Sequence, residues 1–181
     1  MTEPATRQAP ATVPHESLRA TLMSVLRSWW ERLRNDPGGR AGLRRCQSVT
    51  QVYFEPAFHR LLHDLREVGL LEDPGPRLSH DKIAVAAAAL SHVKETSEER
   101  GFGQALGRLS GDKAKVSDLR FRALLREDAP DDVLRAVIRT VRLLDESVPA
   151  AALGADLILW GDAVRKQWAF AYYFAAVPSK P

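Results

Sequence analysis

Between residues 14 and 34 the apolar residues Leu18, Leu22, Val25, Leu26, Trp29, Trp30 and Leu33 recur three or four apart, while Arg19, Arg27 and Arg34 fall on other faces. That spacing predicts an amphipathic helix. The run Asn35-Asp36-Pro37-Gly38-Gly39 predicts a turn that ends it. A short helix follows with Arg40, Leu43, Arg44 and Arg45, and another opens near Pro56 and carries Phe58, Leu61, Leu62 and Leu65. Gly69 and the loop Asp73-Pro74-Gly75-Pro76 close it.

Ser79 is placed to cap the next helix, whose alanine-rich segment Ile83 to Leu90 predicts close packing against a neighbour before the helix frays near Thr96. Beyond Gly101 the pattern gives a short helix (Phe102, Leu106, Leu109), a mobile polar loop from Ser110 to Ser117, and a helix with Leu119, Phe121, Leu124 and Leu125. Pro130 opens a helix with the stripe Val133, Leu134, Val137, Ile138, Val141 and Leu144. Pro149 separates it from a final helix bearing Leu153, Leu157, Trp160, Val164, Trp168 and Ala171.

No stretch alternates with period two between turn signals, so no sheet is expected and the fold class is all-α. The expected architecture is a helical bundle behind a disordered tail at residues 1–13. Its helices form either two small lobes, residues 14–97 and 98–177, or one domain. The tail has no apolar h-region, and Asp156, Asp162, Arg165 and Lys166 interrupt the apolar stretch from Ala150 to Val177, so neither a signal peptide nor a membrane span is read. The lone Cys46 excludes an intramolecular disulfide and fits a cytoplasmic location.

Charge changes this picture only through its distribution. The net charge of +3 is too small to argue for a polyanionic partner. Yet residues 27–45 hold Arg27, Arg32, Arg34, Arg40, Arg44 and Arg45 against Glu31 and Asp36. Residues 101–127 hold Arg108, Lys113, Lys115, Arg120, Arg122 and Arg126 against Asp112, Asp118 and Glu127. Arg135, Arg139 and Arg142 stand at i, i+4 and i+7, a row advancing about 6 Å per turn, close to the phosphate spacing of an extended strand. Singly these arginines read as solvated faces or intrahelical ion pairs; together they favour phosphate binding, without a hydrogen-bonding code for bases.

Other candidate chemistry weakens on inspection. His59 and His63 have the i, i+4 spacing of two metal ligands with Glu55 a turn earlier, but Arg60 stands where a zinc protease needs glutamate and no third ligand is evident, so no metal is assigned. Gly101, Gly103 and Gly107 miss the dinucleotide spacing and follow no strand; they mark either a phosphate-receptive helix start or tight packing. No nucleophile elbow, Walker loop or carboxylate pair is present, and no catalysis or cofactor is implied. The tryptophans Trp29, Trp30, Trp160 and Trp168 occupy core positions, with Trp30 or Tyr173 as alternative partner-facing groups.

A sequence of short strings carries a family resemblance: Trp30 to Leu33, Gly39-Arg40-Ala41-Gly42-Leu43-Arg44-Arg45, Pro56-Ala57-Phe58-His59-Arg60-Leu61, Gly101-Phe102-Gly103-Gln104-Ala105-Leu106, Arg120-Phe121-Arg122-Ala123-Leu124-Leu125, and Trp160 to Tyr173. Their order and spacing resemble the small subunit, CasB, of the type I-E CRISPR Cascade complex. The resemblance implies a non-catalytic subunit present as two copies. Its partners would be the Cascade subunits that carry guide RNA and, through a basic groove, target DNA, above all the displaced strand of the R-loop. Arg40, Arg44, Arg45, Arg108, Arg120, Arg122 and Arg126 fall where that basic surface would lie, flanked by Lys94 and Arg100, with Lys113 and Lys115 in the loop. The rival reading is a helical protein-interaction scaffold whose arginines pair with acidic protein partners.

Overall fold

A computed structural model describes residues 15–72 and 76–176; the tail expected at 1–13 and residues 73–75 of the loop before Ser79 lie outside them. Among the described residues there are ten helices: α1 (His15–Arg34), α2 (Pro37–Arg45), α3 (Val49–Val52), α4 (Pro56–Glu67), α5 (His80–Ser91), α6 (Phe102–Gly107), α7 (Asp118–Leu125), α8 (Pro130–Leu143), α9 (Ala150–Ile158) and α10 (Asp162–Ala175). The class is all-α, as the periodicity implies.

Helix α5 is the centre of the bundle. Every residue from Ile83 to Ser91 is buried, and α1, α2, α3, α4, α8 and α9 all pack against it. Alanine makes this possible, because Ala84 and Ala86 to Ala89 keep the helix slim enough for neighbours on every side. Ser79 caps it, accepting a hydrogen bond from the Lys82 amide at 3.4 Å. Apolar contact is continuous from Leu22 in α1 to Tyr172 in α10, and α9 meets both α1 and α5 at Gly154, where a methyl group would sit 2.9 Å from Leu90 and 3.0 Å from Leu26.

The structure departs from the expectations in three places. The Pro37-Gly38-Gly39 run opens α2 instead of forming a turn, because Asp36 accepts from the Gly39 amide at 2.9 Å and Pro37 occupies a first-turn position where its missing N–H costs nothing. The expected final helix is two helices: the chain breaks after Leu159, where the Trp160 indole donates to the Glu127 carbonyl at 3.1 Å and Lys82 donates to the Trp160 carbonyl at 2.5 Å.

Strands also exist, two residues each. β1 (Glu95–Thr96) pairs in parallel with β4 (Ser147–Val148), while β2 (Leu109–Ser110) and β3 (Lys113–Ala114) form an antiparallel hairpin inside the expected loop, taking Leu109 out of α6. Such pairs are too short to produce a readable alternation.

Helices α6 and α10 pack backbone to backbone. A methyl group on Gly103 would sit 2.7 Å from the Trp168 Cα, and one on Gly107 would sit 2.3 Å from the Tyr172 carbonyl oxygen, so tight packing accounts for both glycines. All four tryptophans are buried. Trp168 also donates its indole N–H at 2.8 Å to Asp156, a 1% exposed carboxylate that pairs with Arg19 at 2.9 Å. Burial pushes the Asp156 carboxyl above its ordinary range, against the opposing pull of Trp168 and Arg19.

Two stability outcomes follow. Gly107→Ala is expected to cost about 1–3 kcal/mol in urea unfolding through overpacking, whereas Gly101→Ala, with open space around it, should be close to neutral. Asp156→Ala strands a buried indole N–H and a half-buried guanidinium and should cost about 3–5 kcal/mol in the same measurement.

Candidate nucleic-acid interface

Helix α8 supplies the spine of the site. Its face formed by Val133, Leu134, Val137 and Val141 is buried, with α5 packed against the helix, so Arg135, Arg139 and Arg142 remain exposed on the other side. The end of α2 lies across from this row. Arg44, Arg45, Cys46 and Gln47 face Leu134, Ile138 and the three α8 arginines around an open groove of about 690 Å³ that His92 also lines. None of the groove's lining residues is a carboxylate. Arg139 and Arg142 also border an adjoining cavity of about 380 Å³, on whose far side stands Arg120.

The pairing of these side chains divides them. Arg135 bonds Asp132 one turn back at 2.6 Å, and Arg44 lies 3.6 Å from Glu146. Among the described residues Arg45, Arg120, Arg139 and Arg142 make no ion pair, although Glu127 lines the adjoining cavity with the last three. Arg40 points inward instead, donating to the carbonyls of Ser91 at 3.0 Å and Val93 at 2.9 Å. Burial and the neighbouring Arg44 press its pKa below the ordinary value.

The remaining sequence-derived candidates lie elsewhere. Lys94 pairs with Glu146 at 2.9 Å, Arg108 with Glu99 at 2.6 Å, and Lys115 with Asp145. Arg122 bonds Asp118 at 2.9 Å and the Tyr173 hydroxyl at 3.3 Å. Lys113 and Arg126 are exposed and line neither cavity. Arg27 and Arg100 border a separate groove with Trp30, Thr96 and Pro149, and Arg100 and Arg108 border another beside the exposed, stacked rings of Phe170 and Phe174. As for the histidine pair, a ring nitrogen of His59 lies 2.8 Å from the Tyr53 carbonyl oxygen.

Sequence reasoning missed two participants. Glu146 follows Asp145 in a turn where both residues have φ of 58°, a left-handed conformation that side chains other than glycine rarely take. The turn aims Glu146 at Lys94 and Arg44 while its carbonyl accepts from the Lys94 amide at 2.8 Å. The contact with Lys94 holds the Glu146 carboxyl below its usual range.

The second is His92, 2% exposed at the end of α5, with both ring nitrogens lacking a hydrogen-bonding partner among the described residues. Burial, then the fields of Arg44 and Arg142, lower its pKa to about 4; Glu146 opposes them and Arg40 adds to them. Its place directly after the alanine run was the available signal, since a histidine continuing a fully apolar helix must share its burial.

The sequence matches the family model of CRISPR-associated protein Cse2 over residues 39–173. The fold resembles that of a chain in the crystal structure of E. coli Cascade bound to a PAM-containing double-stranded DNA target with a 32-nt spacer. The TM-score is 0.54 and the identity 22%, over 85% of this chain and 95% of that chain. No curated protein matches the sequence. Among the described residues no helix is long and apolar enough to cross a membrane.

His92 makes acid stability a direct readout of the groove. A histidine pKa lowered from 6.5 to about 4 means that the folded state binds fewer protons than the unfolded chain between those values. Its stabilising share is therefore complete above about pH 6.5 and is lost as pH falls toward 4, by up to about 1.4 kcal/mol per unit. In denaturant titrations His92→Leu should lose that part of the acid dependence and cost little at pH 7, where it removes a buried group with no partner.

Proposed function

The chain belongs to the CRISPR-associated protein Cse2 family, and from that membership we propose that it is the non-catalytic small subunit of a type I-E Cascade complex that steadies target DNA. The observation that carries the reading is the groove between α2 and α8. Arg44, Arg45, Arg135, Arg139 and Arg142 converge on it and no carboxylate lines it. A guanidinium fork matches the oxygens of a phosphodiester, and arginine is the residue type best suited to that contact.

The groove offers little with which to read a base edge, Gln47 being its one amide side chain. Recognition is therefore of backbone, independent of sequence and strongly dependent on salt. The displaced strand of the R-loop is the ligand this chemistry fits, because it is single-stranded and its bases are already unpaired. R-loop exchange is close to balanced, so a few contacts of about 1 kcal/mol each decide its lifetime. The partners under this reading are the other Cascade subunits with their guide RNA, target DNA and a second copy of this chain, in the cytoplasm. The Cascade structure that shares this fold holds double-stranded target DNA, which supports the same ligand class.

The exposed Phe170 and Phe174, 76% and 78% accessible, favour a protein-facing surface as well. That surface shares no lining residue with the arginine groove. A pure protein scaffold would use the arginines to meet acidic partners and would show no DNA contact.

Replacing Arg139 and Arg142 together with Ala should shorten the R-loop lifetime of the assembled complex about tenfold or more at physiological salt. It should also flatten the slope of log affinity against log salt by about 1 to 1.5, the share of two released counterions on a single strand. Unchanged lifetime and slope, with the complex assembled normally, would favour the scaffold.

A further inference from the structure

Helices α7 and α8 leave a gap between them. On the α8 side its wall is Ala136, Thr140 and Leu143, spaced three or four apart, and on the α7 side it is Ala123 and Leu124. Two alanines stand where larger residues would close the gap, so a cavity of about 380 Å³ stays open. That volume lies at the lower end of what holds a small organic ligand, about 300–1,000 Å³. Leu143 is left 39% exposed on this wall, whereas Val133, Val137 and Val141 of the same helix are at most 3% exposed.

The charged groups at this cavity have no partners. Arg120, Arg139 and Arg142 rim it, and Glu127 lines it with them. The Glu127 backbone carbonyl is already engaged, by the Trp160 indole at 3.1 Å and by Arg165 at 2.9 Å. Its half-buried carboxylate makes neither an ion pair nor a hydrogen bond among the described residues. The Thr140 hydroxyl is turned to the Ala136 carbonyl at 2.8 Å, so Glu127 is the acceptor open to a ligand. A simple anion would be repelled by Glu127 and would leave the apolar wall wet, and an apolar chain would leave the arginines unused. One nucleotide of a strand meets all three features, with its phosphates on the arginines, its ring on the wall and its edge at the carboxylate.

Resting on the reading that the α8 arginines hold a strand by its backbone, we propose that this cavity takes one unstacked base of that strand and selects a base with an exocyclic amino group. The ring lies against Ala123 and Leu143, its phosphates sit on Arg139 and Arg142, and its amino group donates to the Glu127 carboxylate. An ionised carboxylate only accepts hydrogen bonds. Cytosine presents an N4–H and adenine an N6–H, whereas thymine presents the O4 carbonyl, which a carboxylate repels. In a displaced strand these edges have lost their pairing partners, and a base already unpaired turns outward at little cost. The arginine groove stays indifferent to sequence, and the cavity adds one position at which base identity counts.

The test measures the R-loop lifetime of the assembled complex on two targets that share one guide and one all-pyrimidine target strand. The displaced strand is all cytosine in one and all thymine in the other, so neither pairs with the target strand. The cytosine strand should hold the R-loop about fivefold longer or more. Glu127→Gln, whose amide also meets the thymine O4, should remove that preference, as should Ala123→Leu, which fills the cavity from an exposed position. Equal lifetimes in the wild-type complex overturn the proposal, and so does a preference that survives in Glu127→Gln. If Ala123→Leu keeps its unfolding midpoint but blocks assembly, the cavity seats a neighbouring subunit and the proposal fails; if that variant unfolds, Glu127→Gln alone decides. Equal lifetimes on the two strands, together with a shortened R-loop in the Arg139 and Arg142 variant, overturn the base site and leave the groove's DNA role standing. An unchanged lifetime in that variant overturns the reading on which the base site rests.

Discussion

The arrangement around the groove depends on how the protein ends a helix that is buried on every side. The interior of α5 satisfies its own backbone, but its last carbonyls have no partner within the helix. Water cannot serve them freely, since Ser91, His92 and Val93 are all at most 2% exposed. Arg40 answers that need from α2, reaching the carbonyls of Ser91 and Val93 with two nitrogens of one guanidinium. The negative end of the helix dipole favours cations in the same place. The basic cluster at the edge of the groove is thus partly a requirement of the fold: a buried helix terminus draws in arginine, and the next turn of α2 then presents Arg44 and Arg45 beyond it.

Electrostatic balance follows from this. Much of the chain's positive charge is matched locally, at Arg32 with Asp64, Arg60 with Asp36, Arg165 with Asp128, and Arg19 with Asp156. The exposed pairs among these, Arg32 with Asp64 and Arg60 with Asp36, contribute little to stability, about 0–1 kcal/mol, but they remove charge from the surface field. The groove is where matching stops. Asp132 holds only Arg135, at 2.6 Å, and the turn of Glu146 orients it toward Lys94 at 2.9 Å, leaving Arg44 at the longer 3.6 Å. A left-handed pair of non-glycine residues at 145 and 146 costs of order 1–3 kcal/mol each, so the surrounding contacts must hold that turn in place.

What could be read in the sequence was whatever repeats along one helix. The stripe from Val133 to Val141 and the row Arg135, Arg139 and Arg142 are two phases of the same 3.6-residue period, and both stand in α8 as the pattern implies. What could not be read was any meeting of distant segments. Arg44 and Arg142 share a groove because α2 and α8 both pack on α5, and no spacing in the sequence encodes that. Arg40 and Arg44 look alike in sequence, four apart on one helix, yet one turns inward to carbonyls and the other outward to the groove. The break at Trp160 was hidden because apolar residues on both sides keep helical phase, while the stop comes from hydrogen bonds to Glu127 and Lys82.

Rigidity completes the case for a backbone-reading surface. Arginines on a loop would each lose conformational freedom on meeting phosphate, whereas Arg135, Arg139 and Arg142 span eight residues of a helix, a fixed rise of about 10.5 Å. The helix itself is locked by the buried Ala136 and Thr140, the Thr140 hydroxyl donating to the Ala136 carbonyl at 2.8 Å within the same turn. Its partner α2 is fixed through its first half, by Asp36 at the Gly39 amide and by Arg40 at the end of α5. The two walls of the groove therefore hold their spacing through one shared helix, and α5 sets that spacing with alanine. A larger side chain in its buried run would have to push a neighbouring helix aside. The composition of the core and the width of the ligand groove are, in this protein, a single constraint.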